Sequence, residues 1–378
     1  MADAACAWGT KYSAFSLPSL LSTLYTQDNR ALCLFDLTMV NEQAGYEKSI
    51  LDFFLRSGLT SRDLRDCLVF IKQSYPDDSI SPVPVQGYCS FTVFVGDALV
   101  IQFRPHQYRL DLRVTAAARS TYGFYAPLTK YVSTMSPSGL LVYSMERIRG
   151  ISLKEFMDKS NREDHSFEKR AKLCKDFAIF LSQAWSQGNA DVIQKGTVGG
   201  SILSRLKILR SDLPVRFKSK VMAIVDQLPL VEALPWVLSH GDIVPGNIMV
   251  EPASGSLLGL VDWAEAEFLP FGVCLYGLEE LLGEITATGF RYYADASDLR
   301  NIFWDAIIAE IPELRQVHVL EAVTIARDLG VLLWYGIAFD NGAINRVVQE
   351  GRDVNEIKRL NAFLNLQCPR VIERASKI

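Results

Sequence analysis

The sequence predicts an α+β protein with a helical N-terminal arm, a small sheet-rich lobe and a large helical lobe. Three observations carry that reading. Helical spacing gives way near residue 82 to β-branched and aromatic runs, and helical spacing returns after Gly150. The length, 378 residues, suggests two lobes at about 150 residues per domain. The composition, 49% hydrophobic and 22% charged, supplies a sizeable core and excludes wholesale disorder.

The elements follow in order. Residues 1–80 read as a mostly helical extension. Leu51, Phe54 and Leu55 recur at helical spacing, and Thr60 with Asp63 forms a capping box ahead of LRDCLVFIKQSY. Residues 81–149 read as the sheet-rich lobe. There the strands of SPVPVQGYCSFTVFVGDALVIQFRP turn at Gly96-Asp97, a helix spans about 108–122, and SGLLVYSMERI (138–148) forms a further strand. Glu146 to Gly150 reads as the linker, with Ser152 and Glu155 capping the next helix. Residues 150–378 read as the large lobe. It begins with an amphipathic helix bearing Phe167, Ala171, Cys174, Phe177, Phe180, Leu181, Ala184 and Trp185. Two short strands, IMVE (248–251) and LLGLV (257–261), flank a turn, and residues from about 272 onward read as helical.

Composition excludes several function classes. Lys+Arg total 39 against 43 Asp+Glu, a net charge of −4, so no broad basic field exists for nucleic acid or an anionic membrane. The basic run at 205–220 reads as a solvated helical surface. The 7 cysteines are odd in number and never form a CxxC pair, which predicts free buried thiols and no zinc site. No secretory signal or membrane span is evident, so the expectation is a cytoplasmic protein. Oligomeric state is left open.

The chemistry concentrates in HGDIVPGNIMV (240–250) and in Asp262, fifteen residues after Asn247. An Asp, four residues, an Asn, then a hairpin ending in Asp is the spacing of a kinase catalytic loop and its metal-binding Asp. Asp242 would accept the proton of an attacking hydroxyl and orient it. Asn247 and Asp262 offer hard oxygen ligands for Mg²⁺ bridging nucleotide phosphates.

HGD-x₄-N followed by Asp262-Trp263 resembles the aminoglycoside phosphotransferase and choline kinase superfamily. VDWAEAEF (261–268) is similar to a stretch of hygromycin phosphotransferases, and LLVYSMERIRGISL (140–153) resembles the family's inter-lobe segment. The QFRP element (102–105) and LPFGVCLYGLEELLG (269–283) look like a fungal branch. The resemblance covers about residues 80–350. It implies a protein-kinase-like bilobal fold and ATP- and Mg²⁺-dependent phosphoryl transfer to a hydroxyl of a small molecule. It also implies Asp242 as base, Asn247 and Asp262 as metal ligands, and His240 as a brace for the loop. Trp263 would pack, and the adenine would meet backbone groups near Ser144 to Arg147, Glu146 among them.

The small lobe departs from that pattern. The phosphate-covering turn, QGYCSFTV (86–93), has a single glycine, Gly87, with Ser90 as a potential donor. Gln102 stands where the family commonly has a Lys or Arg, and Arg104, two residues on, shares its strand face. The helix after it carries no Glu to pair such a cation. Two alternatives therefore stay open: a kinase scaffold redirected to another reaction on a small metabolite, or a non-catalytic binding protein. On the acceptor side, Glu265, Glu267, Glu279, Glu280 and Glu284 could form a negative wall suited to an amine-bearing substrate. Trp304, Trp334, Tyr335 and Phe339 read either as core or as pocket lining.

Overall fold

The computed structural model describes residues 40–84, 86–159, 166–188, 195–340 and 343–365. The residues before 40 therefore lie outside the described part of the predicted extension. Two helices open it, α1 (Val40–Arg56) and α2 (Ser61–Ser74). The capping box forms as predicted: the Asp63 carboxylate accepts the Thr60 N–H at 2.7 Å, and Thr60 Oγ1 accepts the Asp63 N–H.

Strands β1 (Ile80–Pro82), β2 (Phe91–Val95), β3 (Leu99–Arg104), β4 (Thr129–Thr134) and β5 (Leu141–Glu146) make one antiparallel sheet in the order β1-β2-β3-β5-β4. The Gly96-Asp97 hairpin sets Val95 opposite Leu99 and Thr92 opposite Gln102. Alternation then divides the side chains between two faces. Phe91, Val93, Val95, Ile101, Phe103 and Val142 form a core with Phe53, Phe54, Cys67 and Ile71 of α1 and α2. Phe54 meets Phe91 edge-on at 5.2 Å. The two arm helices are thus the outer cover of the sheet, which leaves Thr92, Gln102 and Arg104 on the face toward the cleft.

Helix α3 (Leu112–Tyr122) begins later than the predicted 108 because a 3₁₀ turn occupies His106–Tyr108. Asp111 caps α3, its carboxylate accepting the Arg113 N–H at 2.9 Å. At the other end the Tyr122 hydroxyl donates to the Leu238 carbonyl, and its ring stacks on Phe180 at 4.5 Å, which ties this helix to the large lobe.

The large lobe starts with β6 (Ile151–Ser152) and α4 (Leu153–Lys159), where Ser152 Oγ accepts the Glu155 N–H as expected. Then come α5 (Phe167–Ser182), α6 (Ile202–Asp212), α7 (Val215–Asp226) and α8 (Leu228–Glu232). Strands β7 (Trp236–Ser239), β8 (Ile248–Val250), β9 (Leu257–Leu260) and β10 (Glu267–Pro270) follow, pairing as β6-β8-β9 and β10-β7. Helix α9 (Gly277–Leu281), the hairpin of β11 (Gly283–Ile285) and β12 (Phe290–Tyr292), and helices α10 (Ala296–Glu310) and α11 (Val317–Tyr335) come next. The hairpin of β13 (Ile337–Asp340) and β14 (Ala343–Val347) and helix α12 (Val354–Phe363) complete the described chain. The uniformly helical reading beyond 272 is corrected by those two hairpins, which are too short to show a period. No described helix is long and apolar enough to cross a membrane.

The free-thiol expectation also needs a correction. Cys67, Cys174 and Cys274 are free and buried, but Cys89 is disulfide-bonded. Pairing depends on proximity in space, which scattered spacing does not reveal.

Candidate active site

The segment between β7 and β8 is held by its own polar groups. His240 is buried; its Nε2 donates to the Val261 carbonyl at 2.9 Å and its Nδ1 accepts the Asp242 N–H at 3.2 Å. The Ile243 N–H donates to the Tyr276 hydroxyl at 2.9 Å. Gly241 has φ +77°, and a Cβ there would lie 2.1 Å from the Glu265 carbonyl oxygen, so the turn needs glycine on both counts.

Asn247 Nδ2 donates to the Asp242 carbonyl at 3.0 Å and to Asp242 Oδ2 at 2.9 Å. That orientation leaves its Oδ1 as the acceptor able to meet a cation. The Val261 N–H bonds to the Asn247 carbonyl at 2.9 Å, and Ile248 pairs with Leu260. The hairpin therefore brings Asp262 back beside Asn247 and Asp242. Asp262 has φ 62°, the one positive φ at a non-glycine among the described residues. Such conformations cost of order 1–3 kcal/mol and persist where surrounding structure enforces them.

The electrostatics agree with convergence. Burial, and after it the charge of Asp262, pushes the Asp242 carboxyl up to about 8, while the hydrogen bond from Asn247 pulls it down. A divalent cation between these groups would relieve the repulsion. The donor set, one amide oxygen and carboxylate oxygens, fits Mg²⁺, which takes one or two carboxylates and completes its shell with phosphates and water. No cluster of three or more His, Cys, Asp or Glu that could hold a metal occurs among the described residues.

Burial holds the His240 imidazole down at about 4. In the unfolded chain it would titrate near 6.5, so the unfolded state binds more protons between these values. The stabilising contribution is complete above about pH 6.5 and is lost as pH falls toward 4. At pH 5 the loss should reach roughly 2 kcal/mol. Urea unfolding at pH 7.5 and pH 5 checks this: His240→Asn should show a smaller difference between the two pH values than the parent chain. Equal differences would show that the imidazole is not the titrating group.

The roof of the site comes from the sheet. Arg104 is 2% exposed; its Nη1 donates to Gln102 Oε1 at 3.1 Å, while its buried Nε has no hydrogen-bond partner. Burial lowers its pKa, against the opposing fields of Asp262, Tyr143 and Glu265. Arg104 is thus a buried cation within the field of Asp262. Ser90 is also buried, but its hydroxyl pairs with Thr92 Oγ1 at 3.0 Å. A Cβ on Gly87 would meet only Ser90 Oγ, at 4.0 Å, so the turn is open there.

Glu146 is engaged within the small lobe. Its carboxylate pairs with Arg119 at 2.7 Å and accepts the Leu128 N–H, and its own N–H bonds to the Leu128 carbonyl. The helix lacking a Glu therefore carries an Arg that pairs in the reverse sense, with the end of β5.

Sequence reasoning missed Arg56, which donates to the carbonyls of Gly87 and Tyr88 at 3.1 and 3.2 Å and lies over the Tyr88 ring at 4.4 Å. It sits in the arm, outside the resemblance, and no motif marks it. Trp263 packs as expected, its Nε1 donating to the Leu260 carbonyl at 2.8 Å and its ring against His240 at 4.6 Å. Trp304 is core, as is Tyr335.

Four of the five glutamates expected to form a negative wall are engaged elsewhere. Glu279 pairs with Arg300 at 2.7 Å; Glu280 is held by Arg359 and by the Tyr335 hydroxyl, at 2.7 Å from the latter. Glu284 pairs with Arg291, and Glu267 accepts the N–H groups of Val198 and Gly199 at 3.0 and 2.8 Å. Glu265 lies within the field of Arg104. Buried carboxylates are tolerated only when paired, and the lobe supplies the partners from distant segments.

Residues 90–272 match the phosphotransferase enzyme family (APH). No curated protein matches the sequence. Among solved structures, the GDP complex of wild-type aminoglycoside 2'-phosphotransferase-IIIa is similar with a TM-score of 0.50 at 14% identity, over 71% of this chain and 89% of that one. The GDP and kanamycin complex of APH(2")-IIia gives 0.47 at 14% identity, over 71% and 90%. At that identity the first likeness is one of fold. The chain therefore has a kinase-like bilobal α+β fold, and residues 90–272 are similar to the phosphotransferase enzyme family.

Proposed function

We propose that the protein transfers the γ-phosphoryl group of ATP to a hydroxyl of a small molecule with Mg²⁺. The single observation that carries this is the convergence of Asp242, Asn247 and Asp262, with the buried cation Arg104 within the field of Asp262. Asp242 takes the proton of the acceptor hydroxyl. The acceptor oxygen bonds to the γ-phosphorus as the bond to the β,γ-bridging oxygen breaks, leaving ADP. Mg²⁺ held by Asp262 and Asn247 would offset charge on the phosphates. Arg104 stands in for the Lys that Gln102 displaces, and its unpartnered Nε awaits a phosphate oxygen. Arg56 fixes the covering turn at Gly87 and Tyr88 through the arm. His240 holds the loop and moves no proton. The stretch 261–268 supports a place beside the hygromycin phosphotransferases, and the lobes would divide near residues 80 and 150.

Calorimetric titration of ATP, with and without Mg²⁺, tests the reading. Wild-type protein should bind ATP in a Mg²⁺-dependent manner, and Asp262→Ala should lose that dependence. Absence of binding by the wild type at millimolar ATP would overturn it and favour a scaffold redirected to another reaction.

A further inference from the structure

We infer that Arg56 is a positioning residue for the nucleotide phosphates, so that the helical arm sets how tightly MgATP is held. The inference rests on the phosphotransferase reading above. The arm reaches the covering turn along one helix face. Ser49, Phe53 and Arg56 of α1 are spaced i, i+4 and i+7, which puts them on a single stripe. Phe53 is buried in the core that the arm forms with the sheet, and it anchors the stripe. Ser49 Oγ accepts the Gln86 N–H at 3.3 Å, and Arg56 holds the carbonyls of Gly87 and Tyr88.

Both contacts of Arg56 come from one nitrogen, Nη2, at 3.1 and 3.2 Å, and they fix two successive peptide units. A trans peptide is planar, with its N–H opposed to its C=O. The carbonyls of Gly87 and Tyr88 turn toward α1, so the N–H groups of Tyr88 and Cys89 point away from it. Successive N–H groups directed to one side make an edge that favours an anion. The arm thereby sets the direction of the edge that a phosphate would meet.

The turn is braced well enough to pass this hold on. The Gln86 side chain ties its neck, accepting the Thr92 N–H at 2.7 Å. The same amide donates to the carbonyls of Val83 and Thr92 at 3.0 and 3.1 Å. Thr92 lies opposite Gln102, on the strand that also carries Arg104. The Tyr88 ring meets the Arg56 guanidinium at 4.4 Å and Phe339 of β13 edge-on at 5.9 Å. Arg56 itself is exposed, so replacing it opens no cavity in the core.

The test is calorimetric titration of MgATP into the full chain, with the parent beside Arg56→Ala and Arg62→Ala. Arg62→Ala removes the same charge from the arm, at a residue of α2 whose contact is a 3.9 Å pair with Asp66. Reductant is present throughout, so that the disulfide at Cys89 does not hold the turn in place of Arg56. Arg56→Ala should weaken MgATP binding about two- to tenfold, the span of a hydrogen bond's net worth. Adenosine, a probe without phosphates followed by ligand-observed NMR, should bind both chains alike, and Arg62→Ala should match the parent. Unchanged MgATP affinity in Arg56→Ala, an equal loss in Arg62→Ala, or a parallel loss of adenosine affinity would overturn the inference. If the parent does not bind MgATP, the phosphotransferase reading fails on its own. Amide exchange at Gln86 and Thr92 then decides whether Arg56 holds the turn. Faster exchange in Arg56→Ala would uphold that hold, and equal exchange would overturn it.

Discussion

Asp242→Asn should lower turnover by roughly 10²–10⁴, the range for loss of a general base, while leaving nucleotide binding largely in place. The amide keeps the shape of the side chain and can still meet Asn247, which now donates to Asp242 Oδ2 at 2.9 Å. What it loses is the ability to take a proton and the negative charge beside Asp262. Binding of MgATP should therefore hold or tighten slightly as the like charge is removed. Steady-state kinetics beside calorimetry separates the two effects. A variant with near-native turnover would show that Asp242 is not the base, and parallel loss of turnover and binding would assign it a role in the nucleotide site.

Gly330→Val should destabilise the large lobe by about 3 kcal/mol or more, among the larger values for overpacking a core. Gly330 lies inside α11, where a Cβ would stand 1.8 Å from the Val273 carbonyl oxygen and 3.3 Å from Tyr276 Cδ1. Both neighbours are poorly placed to yield. The Val273 contact is backbone, and Tyr276 is buried between Trp334 and the catalytic loop. Helix α11 therefore sits against the 273–276 turn at a distance only glycine permits, and this contact sets Trp334 on Tyr276. Denaturant unfolding reads the stability directly. An unchanged unfolding midpoint would show that the turn can move away at little cost.

Local signals made much of this protein legible. The Thr60/Asp63 box, the Gly96-Asp97 hairpin and the Ser152 cap each depend on groups within a few residues, so their chemistry is written in short stretches of sequence. The spacing of Asp242, Asn247 and Asp262 predicted their convergence for a similar reason. A fifteen-residue hairpin has few ways to close, and the pairing of Ile248 with Leu260 closes it. Arg104 was readable as a candidate because alternation places it on the face of Gln102, though its burial was not.

Relations between distant segments were decided only by the tertiary structure. The arm helices proved to be the cover of the sheet, because Phe53, Phe54 and Ile71 find their partners far along the chain in β2 and β3. The five glutamates looked alike in sequence, yet Glu279, Glu280 and Glu284 are each paired with an arginine whose identity depends on packing, as with Glu280 and Arg359. Trp334 became a half-buried ring stacked on Tyr276, and Tyr335 beside it part of the core, through the direction in which α11 meets the 273–276 turn. Charge and aromatic spacing state which groups are present. Whether a carboxylate is open to a ligand or a ring is open to a substrate depends on what lies within a few ångströms, and that is a property of packing.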